Sequence, residues 1–171
     1  TSLASKENTC ANDITEDPNV KKTVEKDRKA VFTFSKPAKP EDLEKLKGCI
    51  QKGMDLINKA LALETDQAKA IKSPPIKTMT DKELTAMNDL LKPFESAKSY
   101  KTSLLIQSMR LAEMEGRTPD KDKFKTEADA AREEFKQLGE ITKSIKDEQE
   151  ERKKAAEEAA SGVTSNTAEN K

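Results

Sequence analysis

The chain has 171 residues, of which 37% are charged and only 33% are hydrophobic. Its 32 basic and 32 acidic residues cancel and are mixed along the sequence. This pattern excludes the strong positive field that draws nucleic acid or anionic lipid, and it favours one domain of long helices, each with a narrow apolar stripe.

The N-terminal residues 1–16 are polar and show no periodic apolar signal, so we predict an extended arm there. The two cysteines of the chain, Cys10 and Cys49, lie too far apart for a CxxC redox pair and are too few for a zinc site. We predict that they form a single disulfide, with two inert buried thiols as the alternative. A loop of about 40 residues closed in this way stabilises a fold by at most about 4 kcal/mol in the chain-entropy model.

The next segment carries an Asp-Pro pair at 17–18, which suits the start of a helix. Its apolar residues fit one helical face, so we predict a helix over 18–33. The run 31–34, Val-Phe-Thr-Phe, would also suit a short strand, because β-branched and aromatic residues crowd it. Pro37 and Pro40 end this segment, since neither can donate a backbone hydrogen bond.

A strong apolar stripe then predicts a helix over 40–72, which the Pro-Pro pair at 74–75 stops. Two glycines, Gly48 and Gly53, lie inside it, where each costs about 1 kcal/mol relative to alanine. We interpret them as places where a neighbouring helix approaches closely.

The following stripe predicts a helix over 80–115, opened by a capping box at Thr80 and Glu83. Pro93 lies inside this pattern, so we expect a kink there, with two separate helices as the alternative. Gly116 is typical of a helix end.

The last helix is predicted over 119–158, and its apolar residues recur at spacings of three and four. Residues 146–158 include no large apolar side chain, so we expect this helix to continue past its partners into water. Residues 161–171 are small and polar, and we predict disorder there. The seam residues are Phe124, Ala128, Ala131, Phe135, Leu138, Thr142 and Ile145.

Together these elements predict an all-α fold: an elongated, up-down three- or four-helix bundle with flexible N- and C-terminal tails and one disulfide. The bundle domain is predicted to span residues 17–160. No stretch approaches the roughly 18 apolar residues of a membrane span, so we predict no stable membrane insertion. A monomer is preferred to a dimer, because the seam lacks a sustained leucine repeat.

Catalytic chemistry finds little support in this sequence. Histidine is absent, which removes the usual general base and the commonest metal ligand. The five glycines form no phosphate-binding loop. Asp120 and Asp122 have the first spacing of a calcium loop, but no glycine follows, and we interpret them as charges at a helix start. We predict no catalytic residues, no metal, no cofactor and no enzymatic activity.

Two sets of residues are candidates for binding. The aromatic side chains Phe32, Phe34 and Tyr100 form a candidate binding surface, although the two phenylalanines would also serve as a staple that closes one end of the bundle. The second set would line an apolar pocket between helices, with simple core packing as the alternative. Its members are Met54, Met87, Phe94 and Met109.

The leading hypothesis is a non-enzymatic secreted or surface protein that binds a protein partner of unknown identity, a host factor being one candidate. A plausible disulfide and a start at Thr1 without methionine favour a secreted or periplasmic protein whose signal peptide has been removed. The alternatives are an amphipathic-helix carrier of lipid or of a small apolar ligand and an intracellular coiled-coil scaffold.

Overall fold

A computed structural model describes residues 2–165, with side chains described as far as residue 160. The described part holds five helices and one antiparallel β-hairpin, and the predicted all-α fold with one disulfide is confirmed. In chain order the elements are α1 (Ser2–Thr15), β1 (Lys21–Lys26), β2 (Lys29–Phe34), α2 (Pro40–Ala62), α3 (Asp66–Ala70), a 3-10 turn (Ile76–Thr78), α4 (Asp81–Met114) and α5 (Thr118–Ser165).

Helix α4 is the centre of the molecule. It packs antiparallel to α5 along its length and contacts α1 and α2 on another side. The tight turn into α5 uses Gly116, whose φ of +71° suits a residue without a Cβ. The amide of Arg117 donates to the carbonyl oxygen of Ala112 at 2.8 Å, which closes the end of α4.

The predicted seam of α5 lies against α4. Its alanines, Leu138, Thr142 and Ile145 are buried, whereas residues 153–160 are exposed. The expected projection of α5 beyond its partners is therefore confirmed over these residues. The backbone continues as helix to Ser165, beyond the predicted end at 158. The helix thus enters the segment 161–171, which is predicted to be disordered. The remainder of that segment lies outside the described residues.

The predicted N-terminal arm over 1–16 is wrong, because residues 2–15 form α1. This helix buries Ala4, Ala11 and Ile14 against α2 and α4. Small alanine side chains give a weak apolar signal, and the contact that stabilises α1 comes from distant parts of the chain. Local sequence alone therefore gave little indication of the helix.

The predicted helix over 18–33 is also wrong, because this segment forms the β1–β2 hairpin. Asp27 and Arg28 turn the chain with φ values of 51° and 61°, as in a two-residue type I′ turn. The strand-like run 31–34 lies in β2, so the strand alternative describes it correctly. Helical spacing of a few valines did not outweigh the β preference of these side chains.

The predicted helix over 40–72 ends earlier, at Ala62. The hydroxyl of Thr65 accepts a hydrogen bond from the amide of Ala68 at 3.2 Å and starts the short helix α3. The chain then turns back and places Ala68, Ile71 and Ile76 on the core between α4 and α5. Burial of these side chains stabilises the fold more than the continuation of α2 as one long helix would.

Helix α4 runs unbroken through Pro93, so the alternative of two separate helices is wrong. The predicted capping box is present: the hydroxyl of Thr80 accepts from the amide of Glu83, and the Glu83 carboxylate accepts from the amide of Thr80 at 2.7 Å. Within the described residues, no helix combines the length and apolarity that crossing a bilayer requires.

Candidate interaction site

The β1–β2 hairpin projects from the helices. Every residue from Lys22 to Ala30 is exposed, and β2 contacts α4 at the hairpin base through Phe34. Two of the four large apolar side chains that are exposed in the described part of the chain belong to it, Phe32 at 59% and Val24 at 41%. An isolated two-stranded hairpin is marginally stable in water, so its base needs an anchor.

Phe34 provides much of that anchor. Its amide donates to a carboxylate oxygen of Glu113 at 3.3 Å, and the Arg110 guanidinium lies 4.7 Å from its ring centroid. Val20, 3% exposed, precedes β1 and packs in the core cluster that also contains Leu111. The open end of the hairpin is thus fixed to α4, while its turn is exposed.

A polar network behind the anchor joins α1 to α4. The Thr15 hydroxyl, fully buried, donates to the side-chain oxygen of Gln107 at 2.8 Å. Arg110 donates to the same hydroxyl at 3.0 Å and pairs with Glu16 at 2.8 Å. Glu16 also pairs with Lys21 at the start of β1, so the network reaches the hairpin.

Lys21 and Arg110 lower the pKa of the Glu16 carboxylate. The hydrogen bond from Lys21 lowers its pKa below the ordinary 4.5, and the charge of Arg110 adds to this effect against the opposing cost of partial burial. Glu16 is therefore ionised at neutral pH and stays so into mildly acidic solution.

The predicted disulfide between Cys10 and Cys49 is confirmed, with the sulfur atoms 2.00 Å apart. It links α1 to α2, and the hairpin lies within the loop of sequence that it closes. Both ends of the hairpin segment therefore lead to helices that are covalently joined.

Each strand of the hairpin places alternate side chains on opposite faces. We call one of them the lysine face, since three of its six residues are lysines, and the other the phenylalanine face. The lysine face consists of Lys22, Val24, Lys26, Lys29, Val31 and Thr33, and the phenylalanine face of Lys21, Thr23, Glu25, Ala30, Phe32 and Phe34.

The hairpin is cationic although the whole chain is neutral. Residues 21–34 contain five basic and two acidic side chains, a net charge of +3. On the phenylalanine face Lys21 already has two partners: it pairs with Glu16, and its ammonium lies 4.2 Å from the ring centroid of Phe32. The three cations of the lysine face make no ion pair with any described residue.

The predicted aromatic surface is only partly assembled. Phe32 and Phe34 lie two residues apart on one face of the hairpin, but only Phe32 is largely exposed. Phe34 closes the end of the bundle, as the staple interpretation described. Tyr100 lies elsewhere, half-buried in a cluster of α1, α2 and α4 that includes Ala4 and Ile57, so the prediction of one joint surface is wrong for Tyr100.

The four residues of the predicted apolar pocket do not meet. Met54 lies between α2 and α4, whereas Met87 and Phe94 pack in the cluster between α4 and α5. Met109 is half-buried and belongs to neither cluster. The core-packing alternative describes Met87 and Phe94, while Met54 borders a separate groove of about 380 Å³ with Leu105.

A larger cleft lies between the segment that follows α2 and helix α5. It has a volume of about 600 Å³, and its apolar lining comes from both sides, with Ile71 and Ile76 facing Leu138 and Ile141. At one end Lys98 pairs with Glu64 at 3.4 Å and Glu134 at 3.0 Å. Among the described residues, no group of three His, Cys, Asp or Glu side chains is placed to hold a metal ion.

The lysines and valines of the lysine face are the candidate site residues that sequence reasoning missed. A signal was present, since Lys22, Val24 and Lys26 alternate with a period of two. The segment was predicted as a helix, and on a helix these three side chains would not share one face.

Fold and site define a disulfide-linked helical bundle with a projecting cationic hairpin. Comparison with protein-family models, with curated proteins and with solved structures gave no match.

Proposed function

We propose that the protein is a non-enzymatic, secreted or surface-exposed binding module that recognises a protein partner through the hairpin of residues 21–34. The observation that carries the proposal is the exposure of Phe32 on a projecting segment that is anchored at its base. Aromatic side chains contribute strongly to protein interfaces, and an anchored segment loses less conformational entropy on binding than a free loop.

An extracellular setting is part of this proposal. The Cys10–Cys49 disulfide supports it, because disulfides persist mainly in oxidising compartments. A host protein is one candidate partner.

The coiled-coil scaffold finds less support. Its dimerisation would need the α5 seam, and the side chains of Ala128, Leu138 and Ile145 are buried against the same chain. These residues are therefore not available to pair with a second copy of the chain.

The proposal can be tested by affinity capture from extracellular fluid with three forms of the full chain: wild type, Phe32→Ser and Leu63→Ser. Leu63 is a matched control, because it is 75% exposed and lies outside the hairpin. We expect a protein that wild type and Leu63→Ser retain and that Phe32→Ser loses by about tenfold or more. Equal retention by all three forms would contradict the proposal.

The cleft of about 600 Å³ supports a second candidate function, transport of a small apolar ligand. A fluorescent fatty-acid probe tests it: Ile141→Lys should weaken binding of the probe, whereas Leu63→Lys, outside the cleft, should not. Equal binding by both variants would remove this candidate.

A further inference from the structure

The lysine face combines an apolar centre with three lysines that make no ion pair with a described residue. Val24 and Val31 lie directly opposite each other in the register, with Lys22 on one side and the Lys26–Lys29 pair on the other. No acidic side chain belongs to this face. It would therefore attract an acidic surface, and its valines offer apolar contact once the charges are matched.

The hairpin also presents an open strand edge. The amide of Ser35 donates to the carbonyl oxygen of Val20, so the backbone groups of Ser35 point towards β1. In an antiparallel pair the backbone groups of successive residues point alternately towards and away from the partner strand. Those of Ala30, Phe32 and Phe34 therefore point outward from β2. At the base, the outward amide of Phe34 already takes a carboxylate oxygen of Glu113 as its acceptor. Towards the turn, no strand of the described residues lies beside the outward groups of Ala30 and Phe32.

The edge of β2 suits an acidic partner better than the edge of β1. Glu25 lies beside the outward groups of β1 and would repel acidic side chains, whereas β2 carries no acidic residue. A second copy of the hairpin is disfavoured, because edge-to-edge pairing would bring like-charged lysines together.

We infer that the hairpin binds an extended segment of its partner in which acidic and apolar residues alternate, and that this segment adds as a strand to the edge of β2. Acidic side chains of the added strand lie on the lysine face, next to Lys29, and its apolar side chains lie beside Phe32 on the other face. The inference rests on the proposed function, since it names the chemistry of the partner that the hairpin recognises.

The test is isothermal titration calorimetry, in which an acetylated, amidated Glu-Val octapeptide is added to the full chain. We expect saturable binding that weakens with added salt and falls by about tenfold or more in the variant K22E/K26E/K29E. The matched control is K45E/K52E/K59E, which changes the net charge equally at exposed positions of α2 that make no ion pair with described residues. Its affinity should stay within about twofold of wild type.

Three further ligands make the inference falsifiable. A Lys-Val octapeptide should not bind to wild type. A Glu-Val octapeptide that is N-methylated at its valine amides should bind much more weakly, because these amides are the donors that would pair with the edge of β2. Equal binding of the methylated peptide would overturn strand addition. A heparin oligosaccharide that binds more tightly than the peptide would overturn the peptide preference in favour of a polyanion.

The result is separable from that of the capture experiment. If millimolar Glu-Val peptide does not saturate wild type while Phe32→Ser still loses the captured protein, the acidic-strand inference is wrong and the proposed function stands. If Phe32→Ser retains the captured protein, the proposed function itself is wrong. Thermal unfolding of each variant verifies that the bundle is intact. We expect it to be intact, because the three lysines are exposed outside the core.

Discussion

At the scale of single residues, the two glycines inside α2 lie in different surroundings. A Cβ atom on Gly53 would come within 2.8 Å of a Leu104 methyl group and 3.3 Å of the Glu7 Cβ, so α1 and α4 both approach it closely. A Cβ atom on Gly48 would meet nothing within 4 Å. Gly53 therefore confirms the predicted close approach, and Gly48 does not.

We predict that Gly53→Ala destabilises the protein by about 1–3 kcal/mol, because the core must shift to admit the methyl group. Gly48→Ala is the control. It should raise the free energy of unfolding by about 0.5–1 kcal/mol, since alanine favours the helix and no clash opposes it. Urea unfolding of both variants measures the difference, and a stabilising Gly53→Ala would contradict the packing described.

The Glu16 carboxylate predicts a pH dependence. Its pKa is lower in the folded protein than the ordinary 4.5, so its contribution to stability is present above that value and is lost as the pH falls through the folded pKa. Glu16→Gln should therefore be less stable than wild type at neutral pH, and the difference should shrink in strong acid. Thermal unfolding across this range measures it, and a pH-independent difference would show that the ion pairs with Lys21 and Arg110 contribute nothing.

At the scale of elements, Arg152 fastens the 3-10 turn to α5. Its guanidinium donates to the carbonyl oxygens of Met79 at 2.7 Å, Lys77 at 3.3 Å and Ile76 at 3.4 Å, and pairs with Asp81 at 2.9 Å. Backbone carbonyls at such a connection need donors, and one planar side chain supplies several here.

We predict that Arg152→Ala speeds amide hydrogen exchange over residues 74–80 and costs about 1–3 kcal/mol of stability, because several acceptors lose their donor together. Lys153→Ala is the matched control, since Lys153 is exposed and its ion pair with Glu157 spans 3.9 Å. Exchange that rises equally in both variants would mean that Arg152 does not fasten the turn.

The elements that sequence predicted best are those with long apolar stripes. The buried positions of α4 and α5 recur at helical spacing, and the capping box fixes the start of α4, so local signals and tertiary packing agree. The elements that it missed depend on distant contacts: α1 packs through small alanines, and the hairpin is held by Phe34 and Arg110.

The candidate site was predictable only in part for the same reason. Phe32 could be singled out because an aromatic residue near two prolines is conspicuous in a charged chain. The shared face of Lys22, Lys26 and Lys29 follows from strand alternation, so it appears only once the segment is known to be a hairpin.

At the scale of the whole molecule, α5 extends beyond the bundle that it helps to form. A helix of 48 residues is about 72 Å long at roughly 1.5 Å per residue. Two residues near its C-terminal part contact the preceding segment: Gln149, which donates to the Thr85 hydroxyl at 3.1 Å, and Arg152. The side chains of 153–160 are exposed, and the ion pair of Lys153 with Glu157 lies within the helix itself.

We therefore predict that a chain ending after Arg152 keeps the unfolding free energy of the full chain to within about 0.5 kcal/mol, because exposed helix contributes little without packing. A chain ending after Ile141 is the contrasting variant: it lacks the buried Thr142 and Ile145 and should lose several kcal/mol, at about 2–5 for the isoleucine alone. Urea unfolding followed by circular dichroism compares the three chains. A large loss in the Arg152 truncation would show that the projecting end of α5 packs against the bundle after all.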